Sequence, residues 1–101
     1  MGTSVALKDQ LGRVVLVAER PYPRLVSWTD RVEFPMLGHV DPYGNTIYNR
    51  GQMESLIMEL DKLQAVRPEV FLNDGGFVQD LRDLCLAGIR KPHRYLWFVG
   101  D

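Results

Sequence analysis

Hydrophobic and polar positions alternate along this chain with two different periods. The segment Thr3 to Lys8 is followed by Asp9-Gln10-Leu11-Gly12 and then by Arg13-Val14-Val15-Leu16-Val17-Ala18. A β-branched run after a Gly-containing turn predicts a hairpin. The second strand is apolar at consecutive positions, the pattern of a strand covered on both faces, which predicts a central place in the sheet. Pro21-Tyr22-Pro23 ends this hairpin, because proline supplies no ladder donor. In Arg24 to Asp30, Leu25, Val26 and Trp28 fit either a short strand or a loop anchored by its apolar side chains. From Arg31 to Asp41, Val32, Phe34, Met36 and Val40 approximate an alternation interrupted by Pro35, which predicts an edge strand with a bulge. Asp41-Pro42-Tyr43-Gly44-Asn45 matches the residue preferences of a type I turn, with Thr46-Ile47-Tyr48 returning as a short strand.

The period then changes. Asn49 with Gln52 three residues later forms a capping-box pattern. Met53, Leu56, Ile57, Leu60 and Leu63 fall on one face at helical spacing, with Glu54, Glu59, Asp61 and Lys62 mostly on the other side. Pro68 stops this helix, predicted over 50–66. A second helix is predicted within Gly76 to Arg90, with Asp74 as cap and Phe77, Val78, Leu81, Leu84 and Cys85 as its apolar stripe. His93 to Val99 closes the pattern as an aromatic strand that is apolar on both faces. The expectation is one α+β domain spanning residues 1–101, in the order ββ(β)ββααβ. It has a mostly antiparallel sheet of four to five strands and both helices on one face.

That arrangement leaves the opposite face carrying half of Val14 to Ala18 and half of Tyr95 to Val99. Monomers rarely expose contiguous apolar patches above a few hundred Å². Either the segment from Pro21 to Asp30 folds over the face, or a second chain does, and a two-fold homodimer is the expected cover.

Composition narrows the function classes. One cysteine, Cys85, excludes an internal disulfide and a Cys-rich zinc site, and fits a reducing cytoplasm. The opening residues lack the basic start and apolar run of a signal peptide, and no stretch approaches the ~20 apolar residues that span a bilayer. Twelve Lys+Arg against 13 Asp+Glu give a formal net charge of −1, so nucleic-acid binding lacks its main driving force. Arg20, Arg24 and Arg31, interleaved with prolines and acids, read as solvated loop charges.

Candidate chemistry is sparse. His39 and Asp41 stand two apart, so on a strand they share a side, and with His93 they define a candidate cleft for an enzyme or ligand site. Asp41, however, already has a turn to initiate, and two histidines with one carboxylate and no supporting motif do not make a metal site. Cys85 falls on an apolar stripe and reads as core. Asn73-Asp74-Gly75-Gly76 lacks the pattern of a phosphate-binding loop and reads as a helix cap. No cofactor motif is present. Trp28, Tyr43, Tyr95 and Trp97 are the candidate binding residues, since aromatic side chains anchor protein interfaces.

The segments Asp41-Pro42-Tyr43-Gly44-Asn45-Thr46 and Tyr95-Leu96-Trp97-Phe98-Val99-Gly100-Asp101, with the amphipathic helix between them, resemble small uncharacterised bacterial proteins of about this length. The resemblance covers about the C-terminal three-fifths and implies no activity or site residue. Proteins of that kind often act as small partners such as immunity factors. The sequence therefore predicts a cytoplasmic, non-catalytic interaction domain that pairs with itself and with another protein, and binds neither nucleic acid nor membrane.

Overall fold

The computed structural model describes residues 3–20, 30–41 and 43–100. The expectations for Pro21-Tyr22-Pro23, Arg24, Leu25, Val26, Trp28 and Pro42 lie outside the described residues. The first hairpin joins β1 (Ser4–Asp9) to β2 (Val14–Val17). Its turn is built by Asp9, whose carboxylate accepts the backbone N–H groups of Leu11 (2.9 Å) and Arg13 (3.0 Å) and the Arg13 Nε–H (2.8 Å). Gly12 takes φ +80°, a left-handed conformation that glycine adopts without a Cβ penalty.

Among the described residues the other elements are a short helix α1 (Pro35–Gly38), strand β3 (Asn45–Tyr48), helices α2 (Arg50–Val66) and α3 (Glu69–Arg90), and strand β4 (Arg94–Val99). The four strands form one antiparallel sheet in the order β2-β1-β4-β3. β1 and β4 pair over six positions, from Ser4 opposite Val99 to Asp9 opposite Arg94. Side chains alternate across a strand, so register assigns the faces. Val5, Leu7, Leu96, Phe98 and Tyr48 lie on one face and are buried together with the stripes of α2 and α3. Gly88 of α3 marks how closely these layers meet: a Cβ there would lie 2.3 Å from Met53 Sδ of α2 and 3.1 Å from Leu7 Cδ1 of β1. Both long helices therefore cover the same face, as the patterning predicts.

α2 begins as expected. Asn49 Oδ1 accepts the Gln52 N–H and Gln52 Oε1 accepts the Asn49 N–H, both at 2.9 Å. Arg67 and Pro68 alone separate α2 from α3, which pack as an antiparallel pair.

Three expectations are corrected. β2 is an edge strand, and Val14, Val15, Leu16 and Val17 are all exposed, by 39–58%. Consecutive apolar residues match a covered strand, but strand order is set by pairing, and β4 makes the better central strand. Residues 31–41 form no strand. Asp30 Oδ1 accepts the Val32 N–H at 2.7 Å and the Asp30 carbonyl accepts the Phe34 N–H at 2.6 Å, winding the backbone into turns that lead into α1. Pro35 then occupies the first helical turn, where its missing N–H costs nothing. Phe34 and Leu37, three apart, are the buried pair. Finally, α3 starts at Glu69 rather than near Gly76. It kinks at Asp74 (φ −122°, ψ 17°), the one residue with non-helical backbone, so the predicted helix is the leg that follows the kink and a further leg from Glu69 precedes it.

Candidate functional site

The sheet face turned away from the helices carries the row Val17, Ala6, Trp97 and Ile47, one residue from each strand in the order β2-β1-β4-β3. Val14, Lys8 and Tyr95 form a parallel row, and on the other side of the Trp97 row Val99 stands opposite Ser4 and Asn45. Val17 is 50% exposed and Ile47 46%, while Tyr95 and Trp97 are half-buried. Lys8 lies across the middle of this surface, its Nζ 4.5 Å from the Trp97 ring centroid, a cation–π contact that keeps the ammonium in water. Among the described residues no element covers this face. Tyr95 and Trp97, singled out as binding residues, thus share one surface. Tyr43 is 83% exposed in the turn before β3. Trp28 is outside the described residues.

β2 extends the apolar surface around the sheet edge. Between β2 and α3 runs a groove of about 250 Å³ lined by Leu16, Val17, Glu19, Asp80 and Asp83, with apolar walls on one side and carboxylates on the other. Asp80 holds Arg20, accepting its backbone N–H at 3.1 Å and its Nη1–H at 3.3 Å. Arg20 also lies flat on Gly76, where a Cβ would meet its Nε at 2.4 Å. Arg20, Asn73, Asp74, Gly76 and Phe77 line a second, more polar recess of about 230 Å³. Arg31 donates its Nε–H to the Gly38 carbonyl at 3.1 Å. Arg20 and Arg31 are thus engaged in tying segments to helices, while Arg24 lies outside the described residues.

The residues of the candidate cleft do not converge. His39 follows α1 and its Nδ1 meets the Pro35 carbonyl. Asp41 folds back on its own turn, accepting the Tyr43 N–H at 2.9 Å and donating its N–H to the Thr46 hydroxyl at 2.9 Å. That turn sits at the Val99 end of β4, where the Gly100 N–H donates to the Gly44 carbonyl at 2.8 Å. His93 lies at the opposite end, exposed, at φ 62° in the turn from α3 into β4. The six residues of β4 separate His93 from the Asp41 turn, about 20 Å at strand rise. Among the described residues no group of three or more His, Cys, Asp and Glu side chains is placed to hold a metal ion. Cys85 is buried, and desolvation pushes its thiol up to about 12, away from the range of a nucleophile.

One polar centre was not legible as such. Glu59 of α2 is buried at 8% exposure, and its carboxylate accepts the N–H groups of Met36 (2.8 Å) and Leu37 (3.0 Å). It caps α1 from another helix, at an end where backbone donors have no helical partner. Tyr48 donates its hydroxyl to the Met36 carbonyl beside it, and burial followed by the Glu59 charge raises the phenol above its ordinary value. The ring packs edge-on against Phe98, centroids 5.7 Å apart. Lys62 adds a bond to the Glu33 carbonyl at 3.1 Å. With both carboxylate oxygens of Glu59 accepting backbone N–H groups, and Tyr48 and Lys62 donating to backbone carbonyls, this cluster fastens α1 to the domain. The signal was the place of Glu59 three residues after Leu56 and four before Leu63, at the margin of the apolar stripe.

Among the described residues no helix is long and apolar enough to cross a membrane. Comparison with protein-family models, curated proteins and solved structures finds no match, so the exposed apolar surface is the feature from which a function must be argued.

Proposed function

We propose that this chain is a small non-catalytic interaction domain of the cytoplasm, homodimeric, acting as an immunity-like or regulatory partner of a second protein. The observation that carries this reading is the apolar surface running from β2 across Val17, Ala6, Trp97 and Ile47, uncovered among the described residues. A surface of this kind in water favours association, because each Å² of apolar area removed from water contributes roughly 25 cal/mol. The separation of His93 from the Asp41 turn, and the engagement of His39 with backbone, give the cleft reading no support.

Sedimentation velocity over roughly 1–100 μM tests it, with dimer expected to build across the range. Val17→Glu, at an exposed position on β2, is expected to shift the protein to monomer without lowering its melting temperature at the lowest concentration. A wild-type monomer throughout this range defeats the homodimer. Turnover of a substrate by protein that captures no partner from its host defeats the interaction reading as a whole.

A further inference from the structure

The geometry points to a specific mode of self-association: two copies join β2 to β2, antiparallel across a two-fold axis through Leu16, making one continuous sheet from the four described strands of each copy. This deepens the homodimer reading and rests on it. β2 pairs only with β1 among the described residues, so its other side offers unpaired backbone donors and acceptors. Such edges are commonly protected by a charge, a proline or a bulge. This one has a bulge, with Val15 the extra residue opposite β1, but no charge or proline from Val14 to Val17. The bulge sharpens the local twist, which a strand pair at the centre of a coiled sheet can follow.

Two observations favour a second copy as occupant and the edge as the place. The groove beside β2 joins apolar Leu16 and Val17 to the carboxylates of Glu19, Asp80 and Asp83. Its complement is a basic residue followed by an apolar strand, which is the sequence Arg13-Val14-Val15-Leu16-Val17 of the chain itself. With the axis through Leu16, position 13 pairs with 19, 14 with 18 and 15 with 17. The partner's Arg13 then arrives at Glu19, at both ends of the junction. The bridge from Arg13 to Asp9 runs through Nε and leaves the side chain 73% exposed, so the rest of its guanidinium is accessible. The second observation is Lys8, whose ammonium lies over Trp97 in the middle of the outward face. Packing two such faces together would desolvate both ammonium groups with no carboxylate among the described residues of that face to meet them, at a cost of several kcal/mol per ion. Edge pairing leaves Lys8 in water. It also joins the two outward faces side by side, doubling the surface offered to another protein.

The test is disulfide trapping with the full chain. A residue on the axis of an antiparallel pair faces its own copy at about 4.5–5.5 Å between Cα atoms, within the span of a disulfide. Leu16→Cys, at a position 43% exposed, is expected to give a covalent dimer on mild oxidation, while Ile47→Cys on the opposite sheet edge stays unlinked. Buried Cys85 does not compete. Val15→Lys is expected to weaken dimerisation at least tenfold, and Glu19→Arg several-fold, with unchanged melting of the monomer at the lowest concentration. A dimer in which Leu16→Cys stays unlinked, in which Ile47→Cys links instead, or which Val15→Lys leaves intact, overturns edge pairing while the homodimer reading stands. A wild-type monomer at every concentration overturns both.

Discussion

Glu59 is the residue on which the placement of α1 depends. Its carboxylate satisfies two N–H groups that no helical carbonyl reaches. Removing it strands both donors in a buried site, so Glu59→Ala is expected to destabilise the fold by about 2–3 kcal/mol. For a domain of this size that corresponds to a melting temperature lower by roughly 10–20 °C. Glu59→Gln keeps one acceptor oxygen and is expected to lose less; equal melting of the wild type and the alanine variant would contradict the capping role. Asp9 permits a pH experiment. The Arg13 and Leu11 N–H groups and the Arg13 guanidinium hold its carboxyl below the ordinary value of 3.8. The charged form is the one that folding favours, so its contribution is complete above that value and disappears as pH falls through the lower native one. The melting difference between wild type and Asp9→Asn should therefore shrink on acidification below pH 3.8, and a difference constant with pH would count against it. Cys85, with its thiol pushed up to about 12, is expected to ignore a thiol reagent at neutral pH until denaturant exposes it. The turn at Asp9 was legible because its partners are neighbours in sequence. Glu59 was not, because the donors it meets lie 22 and 23 residues earlier and only folding brings them together.

Elements announced by local chemistry were the ones read correctly. The Asn49–Gln52 box fixes the start of α2, and Asn49→Ala is expected to cost about 1 kcal/mol, measured by urea unfolding. An unchanged midpoint would show that tertiary packing alone holds that end. Gly88 sits where α3 crosses α2 and β1, so Gly88→Ala must displace the buried end of Met53 and is expected to cost about 1–3 kcal/mol. The segment from Arg31 to Asp41 was misread because an approximate alternation outweighed two helical signals, Asp30 before it and Pro35 at a first turn. β2 was misplaced for a different reason. Burial on both faces and exposure on both faces leave the same consecutive apolar residues, and only the pairing of the other strands separates the two cases. The start of α3 was placed late because the helix runs on through Asp74 with a kink instead of stopping at the glycines.

At the scale of the molecule, one layer of helices on one sheet was foreseeable from two apolar stripes and several strands. The order of the strands was not, since it rests on pairings between distant segments. Amide exchange offers a check on that order. β1 and β4, each with two neighbours, are expected to hold the slowest-exchanging sheet amides, and β2 faster ones whose protection rises with protein concentration. Uniform protection across β2 at every dilution would speak against a free edge.

The pairing of β1 with β4 has a consequence for how the chain acquires its shape. The six residues of β1 wait for the six of β4, with 84 positions made in between. During synthesis the helical pair α2 and α3 can form early, but the sheet has no middle until β4 has left the ribosome, because β4 also carries β3. Pairings so distant in sequence make closure slow relative to helix formation. A chain stopped after residue 92 is therefore expected to show helical signal without a cooperative urea transition, and the complete strand to restore one.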